Sequence, residues 1–134
     1  MIYVLDACAL LAFICKEEGF DVVQAMIEDT NNQCFVHAVN LCEVFYGIHR
    51  ESGEALALAA VTDIQRLGVS ISPDMDVPFW QEAGAIKSVW RKVSLADCFA
   101  ITLTNRVKGE LVTSDHHELD AVAAAGVCPI NFFR

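Results

Sequence analysis

The chain opens Ile2-Tyr3-Val4-Leu5-Asp6. Two β-branched residues, an aromatic and a leucine run without polar interruption into a carboxylate, the pattern of a short strand buried on both faces. Cys8 to about Cys15 reads as an apolar helix, broken by Glu17-Glu18-Gly19. The same alternation continues outward. Asp21–Glu28 is a second helix, with Val22, Val23, Met26 and Ile27 on one face, and Asp29–Asn32 is a polar turn. Cys34–His37 is a strand, followed by helices over Asn40–Arg50 and Glu54–Leu67 that Glu51-Ser52-Gly53 separate. Val69–Ser72 is a short strand ended by Pro73, and Asp76 to about Trp90 is a helix with Pro78 in its first turn. Ser94–Val107 is a helix that Lys108-Gly109 closes. Glu110–Thr113 (strand), His116–Ala125 (helix) and Pro129–Phe133 (strand) complete the order. Strands separated by long helical stretches imply a parallel sheet with right-handed crossovers. No linker or internal repeat divides the 134 residues, so a single domain over 1–134 is expected.

Composition narrows the function classes. Hydrophobic residues make up 54% of the chain and charged residues 20%, which excludes a disordered tail. No apolar run reaches the ~20 residues of a membrane-spanning helix, and Met1–Phe13 lacks the basic start of a signal peptide. Six cysteines stand without a C-x-x-C pair, which argues against zinc and for a reducing, cytoplasmic setting. The net charge of −9 argues against a protein that coats nucleic acid by bulk electrostatics.

Ligands of open α/β sheets bind beyond the carboxyl ends of the strands. Asp6 ends the first strand there, and Asp115 follows Leu111-Val112-Thr113-Ser114. Glu43 and Asp97 lie in the first turns of helices, within Asn40-Leu41-Cys42-Glu43 and Ser94-Leu95-Ala96-Asp97. Each acid also has a structural reading. Asp6 fits a helix cap, Glu43 and Asp97 fit the third position of capping boxes begun by Asn40 and Ser94, and Asp115 fits a turn. Yet Glu43 and Asp97 are embedded in apolar neighbours, and no basic residue lies within four positions of Glu43. Crowded carboxylates raise one another's pKa unless a cation holds them ionised. An all-oxygen ligand set suits Mg²⁺, or Mn²⁺ in its place, and such ions promote phosphodiester hydrolysis.

With these motifs in hand, the chain resembles the PIN-domain ribonucleases, most closely the VapC toxins of bacterial toxin–antitoxin pairs. The likeness rests on Tyr3-Val4-Leu5-Asp6-Ala7-Cys8-Ala9-Leu10, Val39-Asn40-Leu41-Cys42-Glu43-Val44-Phe45-Tyr46-Gly47, Ser94-Leu95-Ala96-Asp97-Cys98-Phe99-Ala100 and Leu111-Val112-Thr113-Ser114-Asp115, in that order over nearly the whole chain. The resemblance implies a three-layer α/β/α domain around a parallel sheet of four to five strands. It implies a Mg²⁺-dependent endoribonuclease with Asp6, Glu43, Asp97 and Asp115 as metal ligands and catalytic acids, supported by Ser114 and Asn40. It implies an RNA substrate and a cognate antitoxin, in a homodimer or a toxin–antitoxin hetero-oligomer. Cys8 stands where that family commonly has serine. Glu118 and Asp120, close after Asp115, read as a solvated first turn of helix or as added carboxylates.

Without the four proposed ligands the charge is −9 + 4 = −5, so RNA needs a local basic patch. Lys87, Arg91 and Lys92 are the densest basic stretch, with Lys87 and Arg91 expected on one helix face. They equally suit the decoration of a helix C-terminus. His116-His117 invite a general-base role that a metal makes unnecessary. The apolar residues of Asp21–Glu28 and Glu54–Leu67 fit an antitoxin groove or a homodimer contact. Other readings are a housekeeping RNA-processing nuclease without antitoxin and a catalytically inactive metal-binding module. A phosphoacceptor receiver domain would need an acidic pair after the first strand, where Ala7-Cys8 stand, and a lysine after the last.

Overall fold

The computed structural model describes all 134 residues. Five strands are β1 (Ile2–Leu5), β2 (Gln33–His37), β3 (Ser70–Ser72), β4 (Glu110–Thr113) and β5 (Ile130–Phe132). Seven helices are α1 (Ala7–Cys15), α2 (Phe20–Glu28), α3 (Ala38–Ser52), α4 (Glu54–Arg66), α5 (Val77–Val89), α6 (Leu95–Val107) and α7 (His116–Ala124). Every expected element is present, with boundaries moved by one to a few residues.

The sheet is wholly parallel, in the order β3-β2-β1-β4-β5. Residues of one strand alternate between two cores. Val4 and Leu111 pack with Phe79, Ile101, Leu103, Leu119 and Val122 from α5, α6 and α7. Leu5, Val36 and Val112 pack with Leu10, Val23, Ile27, Val44 and Ile64 from α1 to α4. The period-2 geometry of a strand turns an unbroken apolar run into two faces, each covered by helices. The result is the three-layer α/β/α arrangement.

The chain adds β2 and β3 on one side of β1, then returns to add β4 and β5 on the other. The order therefore reverses between β1 and β4, and a crevice opens beyond their carboxyl ends. The register Leu5↔Val112 brings Asp6 and Asp115 to that crevice.

The start of α3 differs from the sequence reading. α3 begins at Ala38, two residues early, because the His37 imidazole caps it and accepts from Val39 N at 3.1 Å. Asn40 is therefore not the cap, and Glu43 lies in the second turn, outside any capping box. α6 ends at Val107 and is closed by Lys108-Gly109 as the sequence indicates, with Lys108 in the left-handed conformation (φ 56°). Gly109 serves a close approach, since a Cβ there would lie 2.6 Å from the carbonyl oxygen of Ile2. Gly109→Ala should cost about 1–3 kcal/mol by overpacking. A urea midpoint equal to wild type would contradict that close approach.

Candidate active site

Asp6 is 2% exposed and caps α1, its Oδ1 accepting from Ala9 N at 2.8 Å. Burial pushes its carboxyl up to about 6, against hydrogen bonds from Thr113 and Ala9 that hold it down, while Asp115 and Glu43 push it further up. The hydroxyl of Thr113, fully buried at the end of β4, meets the acids that follow β1 and β4. It hydrogen-bonds Asp6 and accepts from Asp115 N at 3.0 Å. Ser114 bonds the half-buried Cys8 thiol, which burial and Asp6, Asp97 and Asp115 push up to about 12. The thiol thus stays protonated, and the hydroxyl that links the acids is Thr113. Its role is not visible in the sequence, because a threonine inside a strand reads as an ordinary β former.

Asp97 lies in the first turn of α6, its backbone N donating to the Ser94 cap at 3.1 Å. Burial raises its pKa well above the carboxylate range, a hydrogen bond with Glu118 raises it further, and Asp6 and Glu118 add repulsion. Asp115 caps α7, its Oδ1 accepting from Glu118 N at 3.0 Å. Glu43, half-buried on α3, is raised by burial and then by Glu118. Asn40, one turn before Glu43, is fully buried and donates to Ala96 O at 3.3 Å, tying α3 to the start of α6. Its Oδ1 has no partner.

Carboxylate oxygens of Asp97, Asp115 and Glu118 lie within 4.8 Å of one another. Asp6 and Glu43 act on this group electrostatically. Glu118 is thus inside the cluster and not on a solvated turn. It follows Asp115 by three residues, so the first turn of α7 points both side chains the same way. That spacing was the available signal. Asp120 turns outward and bonds His116 Nδ1 at 2.8 Å, and His116 Nε2 meets Arg134 O at 2.9 Å.

None of the chain's ion pairs involves Asp6, Glu43, Asp97, Asp115 or Glu118. The basic stretch is also placed differently from expectation. α5 ends at Val89, so exposed Arg91 and Lys92 sit in the following turn and share no helix face with Lys87. Lys87 Nζ donates to Arg91 O at 2.8 Å and Val93 O at 2.6 Å.

The PIN-domain family profile matches residues 3–125. The chain belongs to the PIN-domain family. None of the curated proteins is similar enough to match it. Among solved structures, the DNA-bound VapBC of Salmonella typhimurium is similar at 18% identity and a TM-score of 0.74, over 100% of this chain and 99% of that one. VapBC2 of Rickettsia felis, bound to a promoter DNA fragment, is similar at 14% identity and 0.72, over 98% of each chain. VapC20 of Mycobacterium tuberculosis, a sarcin–ricin loop cleaving toxin, is similar at 13% and 0.68, over 90% of this chain and 95% of that one. At such identities the likeness is one of fold. This PIN domain therefore has the architecture of VapC chains, with its acids at the crevice between β1 and β4.

Proposed function

We propose that this PIN domain is a Mg²⁺-dependent endoribonuclease of the VapC type, the toxin of a toxin–antitoxin pair. The observation that carries the reading is the set of carboxylates crowded at the β1–β4 crevice, with pKa values raised at Asp6, Glu43 and Asp97 and no basic side chain to neutralise them. Their all-oxygen chemistry fits Mg²⁺ or Mn²⁺. Asp6, Glu43, Asp97 and Asp115 would hold the ion, and a bound ion would supply charge stabilisation to the phosphodiester undergoing hydrolysis. The protein's own part is to fix these carboxylates. Thr113 links Asp6 to Asp115, Asn40 links the Glu43 helix to the Asp97 helix, and the Ser94 cap sets the first turn of α6. Glu43, less buried than Asp6, is suited to accept a proton from the attacking water. Hydrolysis by water would leave a 5′-phosphate and a 3′-hydroxyl.

Arg91 and Lys92 are the remaining phosphate candidates, since Lys87 is engaged by backbone carbonyls. Arg91→Ala should weaken RNA binding and reduce its salt slope by about 0.7–1. An unchanged slope would remove Arg91 from the interface. For the antitoxin, two apolar cavities of about 490 and 450 Å³ adjoin one another between α1, α2, α3 and α4, sharing Ile14, Ala60 and Asp63. They lie away from the acids and fit a partner's helix or extended segment.

Purified protein incubated with RNA tests the reading. Cleavage that needs Mg²⁺, stops with EDTA and is lost in Asp6→Asn is the expected result. Cleavage that persists with EDTA and in Asp6→Asn would overturn it.

A further inference from the structure

Two side chains from different helices hold opposite ends of one peptide group beside the acids. Lys87 Nζ, from the last turn of α5, donates to Val93 O at 2.6 Å. Glu118 Oε2, from the first turn of α7, accepts from Ser94 N at 3.1 Å. Val93 O and Ser94 N belong to the same planar trans peptide, whose C=O and N–H point in opposite directions. The cation thus meets the negative end of the peptide dipole and the carboxylate meets the positive end. Both are charge-assisted hydrogen bonds, and Val93 is only 1% exposed. Bonds in such a chain polarise one another.

We propose that Lys87 and Glu118 act as one positioning device for Asp97, gripping the Val93–Ser94 peptide from its two ends. Ser94 is the cap of α6, and its hydroxyl fixes the backbone N of Asp97. In a capping box, the side chain at the third helical position normally returns to the backbone N–H of the cap. Asp97 holds that position here, but the Ser94 N–H goes to Glu118. Glu118 takes over the return bond and leaves the Asp97 carboxylate free for the crevice. Glu118 is itself fixed, because its N–H donates to Asp115 Oδ1 at 3.0 Å. The first turns of α6 and α7 are cross-linked, and the spacing of Asp97 from Asp115 is set by that link. Lys87 also donates to Arg91 O, which folds the α5–α6 turn onto the same point. Lys87 is in this way an internal part and not a phosphate contact.

The consequence for metal affinity rests on the metal-site reading above, while the clamp does not. The test uses the whole chain and three variants: Lys87→Met, Glu118→Ala and Glu118→Gln, the last retaining an acceptor. Hydrogen exchange of the Ser94 amide is read by NMR, and Mn²⁺ affinity by calorimetry. Losing a charge-assisted bond should speed Ser94 exchange by roughly tenfold or more in both Lys87→Met and Glu118→Ala. Loss of a partner that orients a metal ligand should weaken Mn²⁺ binding by about 10- to 100-fold in the same two variants. Glu118→Gln should stay near wild type in exchange and retain most of the affinity. Should Lys87→Met not fold, Lys87→Gln replaces it.

Lys87→Met with unchanged Ser94 exchange and unchanged Mn²⁺ affinity, but a shallower salt dependence of RNA binding, would make Lys87 a phosphate contact and overturn the proposal. Glu118→Gln that protects Ser94 yet loses Mn²⁺ as fully as Glu118→Ala would make Glu118 a ligand and overturn the positioning role. If the wild type binds no Mn²⁺, the metal-site reading fails, and Ser94 exchange alone decides the clamp.

Discussion

Asp97→Asn is expected to abolish Mg²⁺-dependent RNA cleavage while raising the melting temperature of the metal-free protein. The two effects have one cause. Burial, the contact with Glu118 and the charge of Asp6 all disfavour the ionised Asp97 carboxylate. Without a cation, a folded chain at neutral pH must either take up a proton at this site or bear the repulsion. Asparagine removes the charge and keeps the shape, and the cap survives because the Ser94 bond uses the backbone N of residue 97. The metal-free protein should therefore gain about 1–3 kcal/mol, several degrees for a domain of this size. Activity should fall by at least about 10²–10³-fold, the loss seen when one electrostatic contact to a reacting centre is removed. Sites that bind charge are commonly strained in this sense. Thermal melts with EDTA, beside a cleavage assay, would show both effects. An Asp97→Asn chain that melts lower than wild type in EDTA would contradict the assignment of repulsion to this cluster.

Much of this architecture was legible in the sequence, for a physical reason. Unbroken apolar runs such as Ile2–Leu5 and Leu111–Val112 mark strands covered on both faces, and the helices between them force parallel pairing. Parallel strands place their carboxyl ends on one side, so Asp6 and Asp115 had to meet there. Side-chain hydrogen bonds between distant elements were not legible. Nothing in Asn40-Leu41-Cys42-Glu43 shows that His37, not Asn40, starts the helix, because a histidine cap depends on which ring nitrogen faces Val39. Nothing local shows that Lys87 turns inward, since its acceptors lie beyond the end of its own helix. Glu118 was ambiguous for the same reason. Its spacing from Asp115 was visible, but its acceptor role depends on where Ser94 lies, 24 residues away in sequence.

Acidification should stabilise the metal-free protein, and Mg²⁺ should cancel that dependence. Asp6 moves from an ordinary 3.8 to about 6 on folding. An acid raised in this way binds more protons folded than unfolded, so stability is fully present below 3.8 and is lost as pH rises through 6. The difference amounts to about 3 kcal/mol at neutral pH. Asp97 and Glu43 are raised by burial and carry the same sign. His116, raised by Asp120 and the Arg134 carbonyl, also favours the acidic side, though its exposure keeps its contribution small. Asp76 runs the other way, because the Arg106 guanidinium holds it below the usual range. Its loss falls at more acidic pH, outside this window. Melting temperature in EDTA should thus decline between pH 5 and 8. Saturating Mg²⁺ binds the ionised carboxylates, so its stabilisation should grow over the same interval and flatten the curve. Asp6→Asn isolates one contributor, because asparagine is as good a helix cap as aspartate. In EDTA that variant should lose the part of the decline that lies below about pH 6, keep the part that Asp97 carries at higher pH, and gain little from Mg²⁺. A wild-type curve that rises steadily from pH 5 to 8 in EDTA would mean that the carboxylates of the crevice are already compensated within the protein. The case for a cation there would then fall, whatever the fold.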